Sequence, residues 1–217
     1  MLKSEFENFC ENIKLNNKED IENTVSEIAK KLNRHYYNID DSKEHMYIVG
    51  SVGRTTAIKN VSDIDIIFDL PEDVYSRIND NEGNKQSQLL QEVKNVLLER
   101  YPKTDLRGDG QVVVIKFTKY TIELVPGFKQ EDESFKYPDT NDGGSWKSTK
   151  PILEINKCKK LDYETNGNFS NICHMLRVWK NNIGLVFKGL LIDTLVNDFF
   201  NEYPNIKNLS MMNIIIW

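Results

Sequence analysis

The stretch GSVGRTTAIKNVSDIDIIFDLP, residues 50–71, decides how this chain is read. Strand side chains project to opposite faces in turn, so within VSDIDIIF the residues Asp63 and Asp65 share one side. Ile64, Ile66 and Phe68 take the other. The strand over 64–70 is expected to stop at Pro71, which has no N–H for a sheet ladder. Upstream, residues 46–49 read as a short buried strand running straight into Gly50 and Ser51, which form a turn. A third acid, Glu123, lies in TIELVPGF, residues 121–128, on a strand whose Tyr120, Ile122 and Leu124 face the opposite way. Pro126-Gly127 is expected to end that strand.

Carboxylates sharing a face repel and raise each other's pKa unless a cation sits between them, and hard oxygen ligands of this kind suit Mg²⁺. Three such acids can hold two metals. Two metals roughly 3.5–4 Å apart stabilise both the attacking and the leaving oxygen of an in-line phosphoryl displacement, which is nucleotidyl-transfer chemistry. The substrate phosphates need donors as well. Gly50, lacking a side chain, lets backbone amides approach them, and the Ser51 hydroxyl adds a further donor. A Gly-Ser turn alone is common. Followed by Asp63-x-Asp65 and then by an acid on a later strand, it is specific.

Working outward, 217 residues with 39% hydrophobic and 28% charged side chains suit a soluble globular protein and exclude disorder. With 28 Lys+Arg against 33 Asp+Glu the net charge is -5, so no global positive field holds nucleic acid, and a nucleotide must be gripped locally. The apolar runs at 112–115 and 214–217 fall far short of the roughly 20 residues that cross a bilayer. The N-terminus has no apolar leader. A cytoplasmic protein with no membrane partner is expected, its Cys10, Cys158 and Cys173 reduced because they are odd in number and widely spaced.

Ile21, Val25, Ile28, Ala29, Leu32 and Tyr36 recur at intervals of three and four, predicting a long amphipathic helix over 17–37 after a shorter one carrying Phe6, Phe9, Cys10 and Ile13. Leu89, Leu90, Val93, Val96, Leu97 and Tyr101 predict another, ended by Pro102. Residues 112–117 and 120–125, separated by Thr118 and Lys119, read as a tight hairpin. The polar segment 129–150, with Trp146 as its large anchor, reads as a long loop. Helices are expected over 170–181 and 185–203. Trp179 is expected in the core of the first, while Leu190, Leu191, Leu195, Phe199 and Phe200 line the second. Arg177 and Lys180 share a face. Arg54, Lys59 and Lys116 are expected to be solvated or structural. The fold class is α/β (α+β): a mixed twisted sheet backed by the long first helix, with helices crowding both ends of the chain.

GSVGRTTAIKNVSDIDI with the later IELVPGF resembles the DNA polymerase beta type of nucleotidyltransferase, and within it the cGAS/DncV-like nucleotidyltransferases (CD-NTases) of bacteria, relatives of oligoadenylate synthetase. The similarity runs from the long first helix through SWKSTKPILEI and MLRVWKNN. It implies a catalytic core over residues 1–150 and a helical C-terminal portion over 151–217. It also implies nucleoside triphosphates, ATP foremost, as substrates, and Mg²⁺ as cofactor with Mn²⁺ as substitute. Pyrophosphate would be released and a cyclic or linear oligonucleotide second messenger made for anti-phage signalling. Residue by residue, Gly50 and Ser51 match the phosphate-binding turn, Asp63, Asp65 and Glu123 the three metal acids, and Lys180 the basic residue that relatives place on the donor triphosphate. A regulatory or effector protein is admitted as a partner; strong nucleic-acid binding is not. Two departures stand out. The third acid is commonly aspartate, and the chain stops at MMNIIIW where family members continue through a larger helical domain, so an incomplete C-terminal portion is expected. The competing readings are a nucleotidyltransferase that modifies a protein, tRNA or small molecule, and a catalytically inactive nucleotide-binding module.

Overall fold

A computed structural model describes residues 2–207, 209, 210, 213 and 214, with side chains from residue 5. Of the apolar end MMNIIIW, only Asn213 and Ile214 lie within the described residues. The chain forms two bodies: Lys18–Val49 with Ser62–Ile152, and Met1–Asn17 with Gly50–Val61 and Leu153–Trp217. The sequence places one division near residue 150; the contacts add two N-terminal pieces to the C-terminal body.

The first body is a mixed sheet with helices. Helix α1 (Leu2–Ile13) belongs to the other body, so the sheet body begins with α2 (Lys18–Tyr36), which buries Ile21, Val25, Ile28, Ala29 and Leu32 at the spacing expected. β1 (Met46–Ile48) pairs antiparallel with β2 (Asp63–Asp69), and β2 pairs parallel with β5 (Thr121–Lys129). α4 (Glu72–Asn79), α5 (Lys85–Leu98), β3 (Asp105–Asp109) and β4 (Val112–Lys116) lie between β2 and β5 in the chain. The Asn84 side chain caps α5 by accepting the Ser87 N–H at 2.9 Å. Sheet order is β1-β2-β5-β4-β3. One sheet face carries Ile64, Ile66, Phe68, Val113, Ile115, Ile122 and Leu124, all buried, with α5 packed on β3, β4 and β5. Burying each large side chain contributes about 1.5–3 kcal/mol relative to leaving it in water.

Two expectations for this body are corrected. Pro126 does not end β5, which runs on to Lys129. Its missing N–H falls where the strand changes neighbours: β4 pairs only as far as Leu124, and β6 takes over at Phe128. Nor is 129–150 a loop, since β6 (Phe135–Asp139) and β7 (Ser145–Thr149) form an antiparallel hairpin on β5. Polar composition hid it because one side faces water. Trp146 does anchor this segment, its ring centroid 5.1 Å from Tyr75 and 5.7 Å from Phe128.

The second body adds α3 (Gly50–Gly53), α6 (Pro151–Glu164), α7 (Asn168–Asn182) and α8 (Gly189–Glu202) to α1. Cys158, Leu161, Phe169, Cys173, Ile192, Val196 and Phe200 form its core. Trp179 is 52% exposed, against expectation, and so are Leu190, Leu191 and Leu195 in large part. α8 is apolar around most of its circumference, so periodicity could not choose the face; the buried stripe is Ile192, Asp193, Val196 and Phe200.

Asp193 is the centre of a buried ion cluster. It accepts from Arg177 Nη1 at 2.6 Å and Nη2 at 2.9 Å, from Arg54 Nε at 2.8 Å and from the Thr56 hydroxyl at 3.1 Å. Arg54 also meets Glu154 at 3.5 Å. Arg54 is therefore structural, as expected, whereas Arg177 turns inward while Lys180 lies at the surface margin. The three cysteines are free and buried, and burial pushes the Cys158 thiol up to about 11. Among the described residues no helix is long and apolar enough to cross a membrane.

Candidate active site

The face of the sheet opposite the α5 side is built from the alternate residues, and its polarity follows from the pleat. Strand register places Asp63 beside Thr121, Thr121 beside Lys116 and Lys116 beside Asp105, one row across four strands. The next row is Asp65, Glu123, Val114 and Arg107. Neighbouring strands lie about 4.8 Å apart, so Asp65 and Glu123 stand side by side with Asp63 one step along the same face. The three acids singled out in the sequence are thus brought together. A cleft of about 460 Å³ opens over this face, lined by Asp63, Glu123, Arg107, Asp109, Lys116 and Asn141 among others. Its volume is in the range of small-molecule sites.

Ser62 donates its hydroxyl to Asp63 at 2.8 Å. Burial, and after it the charges of Asp65, Asp63 and Asp109, hold the Glu123 carboxyl above its ordinary range. All the donors offered are carboxylate oxygens, which fits a hard dication. Among the described residues no three His, Cys, Asp or Glu side chains stand close enough together to enclose a metal ion.

The raised Glu123 has a thermodynamic consequence with a definite sign. Between the ordinary glutamate value of 4.5 and the higher folded value, the folded chain binds more protons than the unfolded one, so the metal-free protein loses stability as pH rises through that window. Above the window the cost is complete. Glu123→Gln is therefore expected to melt higher than the wild type in EDTA at about pH 8, with the gap closing as pH falls through the window. A variant that melts lower at the alkaline end contradicts this account of the acid face.

Gly50 and Ser51 form the turn expected after β1, tightened into the single helical turn α3. Gly50 has φ 58°, which a side chain would strain, and its carbonyl accepts the Arg54 N–H at 3.1 Å. The Ser51 carbonyl accepts from Thr56 and Ala57 at 2.9 and 3.1 Å. Lys180, near the end of α7, holds its ammonium 5.2 Å from the Phe187 ring centroid. These three residues belong to the helical body, and the acids to the sheet body.

Sequence reasoning missed β3 and with it Arg107 and Asp109. The strand DLRGD has no β-branched residue. A signal was present in the Asp109-Gly110 pair ahead of the 112–116 run, a hairpin dipeptide whose glycine takes φ 57°.

Residues 1–162 match the family model of the Second Messenger Oligonucleotide or Dinucleotide Synthetase domain. No curated protein matches the chain. Among solved structures, the fold is similar to Escherichia coli MS115-1 CdnC with ATP, at 15% identity and a TM-score of 0.67, covering 89% of this chain and 63% of that one. The same CdnC in complex with HORMA-deltaN gives 14% identity and a TM-score of 0.64, covering 89% and 62%. Rhodothermus marinus CdnE c-UMP-AMP synthase with Apcpp and Upnpp gives 13% and 0.59, covering 86% and 72%. The chain spans less than two thirds of the length of the CdnC structures.

Proposed function

We propose a nucleotidyl-transfer function for this chain, which belongs to the Second Messenger Oligonucleotide or Dinucleotide Synthetase family: it joins nucleoside triphosphates into a cyclic or linear oligonucleotide that serves as a second messenger. The observation that carries this reading is the register of β2 with β5, which sets Asp65 beside Glu123 and Asp63 on the same face of an open cleft. An acceptor hydroxyl loses its proton to solvent as its oxygen forms a bond to the donor's α-phosphorus, the bond from that phosphorus to the oxygen bridging to the β-phosphate breaks, and pyrophosphate leaves. Asp63, Asp65 and Glu123 would hold Mg²⁺, or Mn²⁺ in its place. A divalent metal there supplies charge stabilisation for the attacking and leaving oxygens. Gly50 keeps the turn open to phosphate, Ser51 offers a hydroxyl donor, and Lys180 offsets triphosphate charge. The messenger is assigned to anti-phage signalling in the cytoplasm, with a regulatory protein as an admitted partner.

Incubation with labelled ATP, GTP, CTP and UTP in Mg²⁺, followed by separation of products, tests the proposal. Pyrophosphate together with a new oligonucleotide supports it. A folded protein that binds triphosphates but yields neither over long incubation overturns it.

Ser51 and Lys180 can be told apart by their losses. Ser51→Ala removes one hydrogen bond to a charged group, about 1.5–3 kcal/mol, and should lower kcat/KM roughly 10- to 150-fold. Lys180→Ala should cost a similar factor with a steeper dependence on salt, because its contribution is a screened charge interaction. If a non-hydrolysable ATP analogue keeps its affinity for Lys180→Ala and loses tenfold for Ser51→Ala, the role of the turn stands and that of Lys180 does not.

A further inference from the structure

Stability alone does not account for two features beside the turn of Gly50 and Ser51. Thr55 has φ 61°, a left-handed conformation that a β-branched residue adopts only at a cost, and its carbonyl accepts from Nε2 of the buried His174 at 3.1 Å. On either side of it, Arg54 and Thr56 both reach Asp193 in the buried ion cluster. Breaking such a cluster is costly, yet apolar residues of similar volume would serve stability as well or better, so its presence points to another use. Strained backbone of this kind persists where its surroundings over-determine it, and such places gather at functional sites.

The two ends of Thr56 supply that use. The residue is fully buried. Its N–H donates to the Ser51 carbonyl at 2.9 Å and its hydroxyl donates to Asp193 at 3.1 Å, so one residue joins the turn to the cluster. Arg54 makes a second link, with its N–H on the Gly50 carbonyl at 3.1 Å and its Nε on Asp193 at 2.8 Å. Asp193 is fixed in its turn by Arg177, which donates to both carboxylate oxygens. All of these residues belong to the helical body. We infer that Thr56 is a positioning residue for the phosphate-binding turn: it passes the fixed position of Asp193 to Ser51, so that a buried ion cluster, out of reach of substrate, sets the affinity for the donor triphosphate. The inference rests on the nucleotidyl-transfer reading, through the role given there to Ser51, and adds to it residues from α7 and α8 that act at the turn from behind.

Thr56→Val tests this, since it keeps the shape of the side chain, removes the hydroxyl and leaves Asp193 with both arginines. Its affinity for a non-hydrolysable ATP analogue in Mg²⁺ should fall about tenfold, within the range that a small displacement of a binding group costs. Thr56→Ser, which restores the hydroxyl, should recover the affinity. Phe200→Leu trims the core of the same body, seven residues along α8 from Asp193, and should lose at least as much stability while binding as the wild type does. Affinities that follow melting temperature across the three variants assign Thr56 to the core alone and overturn the inference. So does wild-type affinity in Thr56→Val. A wild type that binds no triphosphate refutes the reading of the site, and amide exchange then decides whether Thr56 holds the turn. The amides at positions 56 and 57, which donate to the Ser51 carbonyl, should exchange several-fold faster in Thr56→Val while those of α8 keep their protection. Unchanged exchange at these two positions, or exchange that quickens equally in α8, overturns the inference.

Discussion

Replacing Asp63 and Asp65 together by asparagine is expected to lower synthesis at least ~10³-fold, because removing transition-state charge stabilisation costs several kcal/mol. The substitution is nearly isosteric, and it takes away the charge that would hold the metals. The fold should survive it. Asp63 is exposed and Asp65 half-buried, and the burial that fixes β2 comes from Ile64, Ile66 and Phe68 on its other face. Melting temperature in the absence of metal should equal or exceed that of the wild type, since two of the charges that raise Glu123 have gone. Turnover near the wild-type rate by the folded double variant would dismiss the assigned site.

The largest loss of stability is expected in the helical body, from Asp193→Ala. Asp193 is 2% exposed and neutralises two guanidinium groups, Arg54 and Arg177, that are 7% exposed each. Removing one partner of a buried ion cluster leaves the others charged and uncompensated, at a cost of about 3–5 kcal/mol. Burial pushes the Asp193 carboxyl up, but the hydrogen bonds and charges of Arg177 and Arg54 outweigh it and leave the group below its ordinary value. Stability from a lowered carboxylate is present above the unfolded value of 3.8 and is lost as pH falls through the folded one. Denaturant titration at neutral pH should therefore show the full deficit of the variant, and acid titration should bring the two proteins together. A variant within about 1 kcal/mol of the wild type at neutral pH would mean that the cluster is not the anchor described.

What could be read before the structure was known follows from where the signal lies in the chain. The acids were legible because a period of two is local: DIDIIF states its own faces, and so does TIELV. α2 was legible because its polar face is polar throughout. The hairpin β6–β7 was not, since a strand pair with one side in water has the composition of a loop, and Pro126 looked like a stop because its change of neighbour is invisible along the sequence. Arg177 is the instructive miss. Spacing put it on a face with Lys180, yet burial depends on what α8 offers, and an aspartate within an apolar helix gave no hint that it was waiting for two arginines. The cleft was half legible: Asp63 and Glu123 announced themselves, while Arg107 and Asp109 on DLRGD did not.

The parallel pairing of β2 with β5 bears on how a newly made chain comes to be active. Parallel neighbours cannot be joined by a tight turn, and here the connection contains α4, α5, β3 and β4. Asp65 and Glu123 therefore meet only after that whole segment has condensed and its loop-closure entropy has been met, a pairing of high contact order. Species halted earlier, with the hairpin formed and the crossover open, would hold the right residues and no acid face. Refolding followed in parallel by fluorescence and by synthesis should then show activity returning in the last kinetic phase, which makes the site a reporter of completed folding.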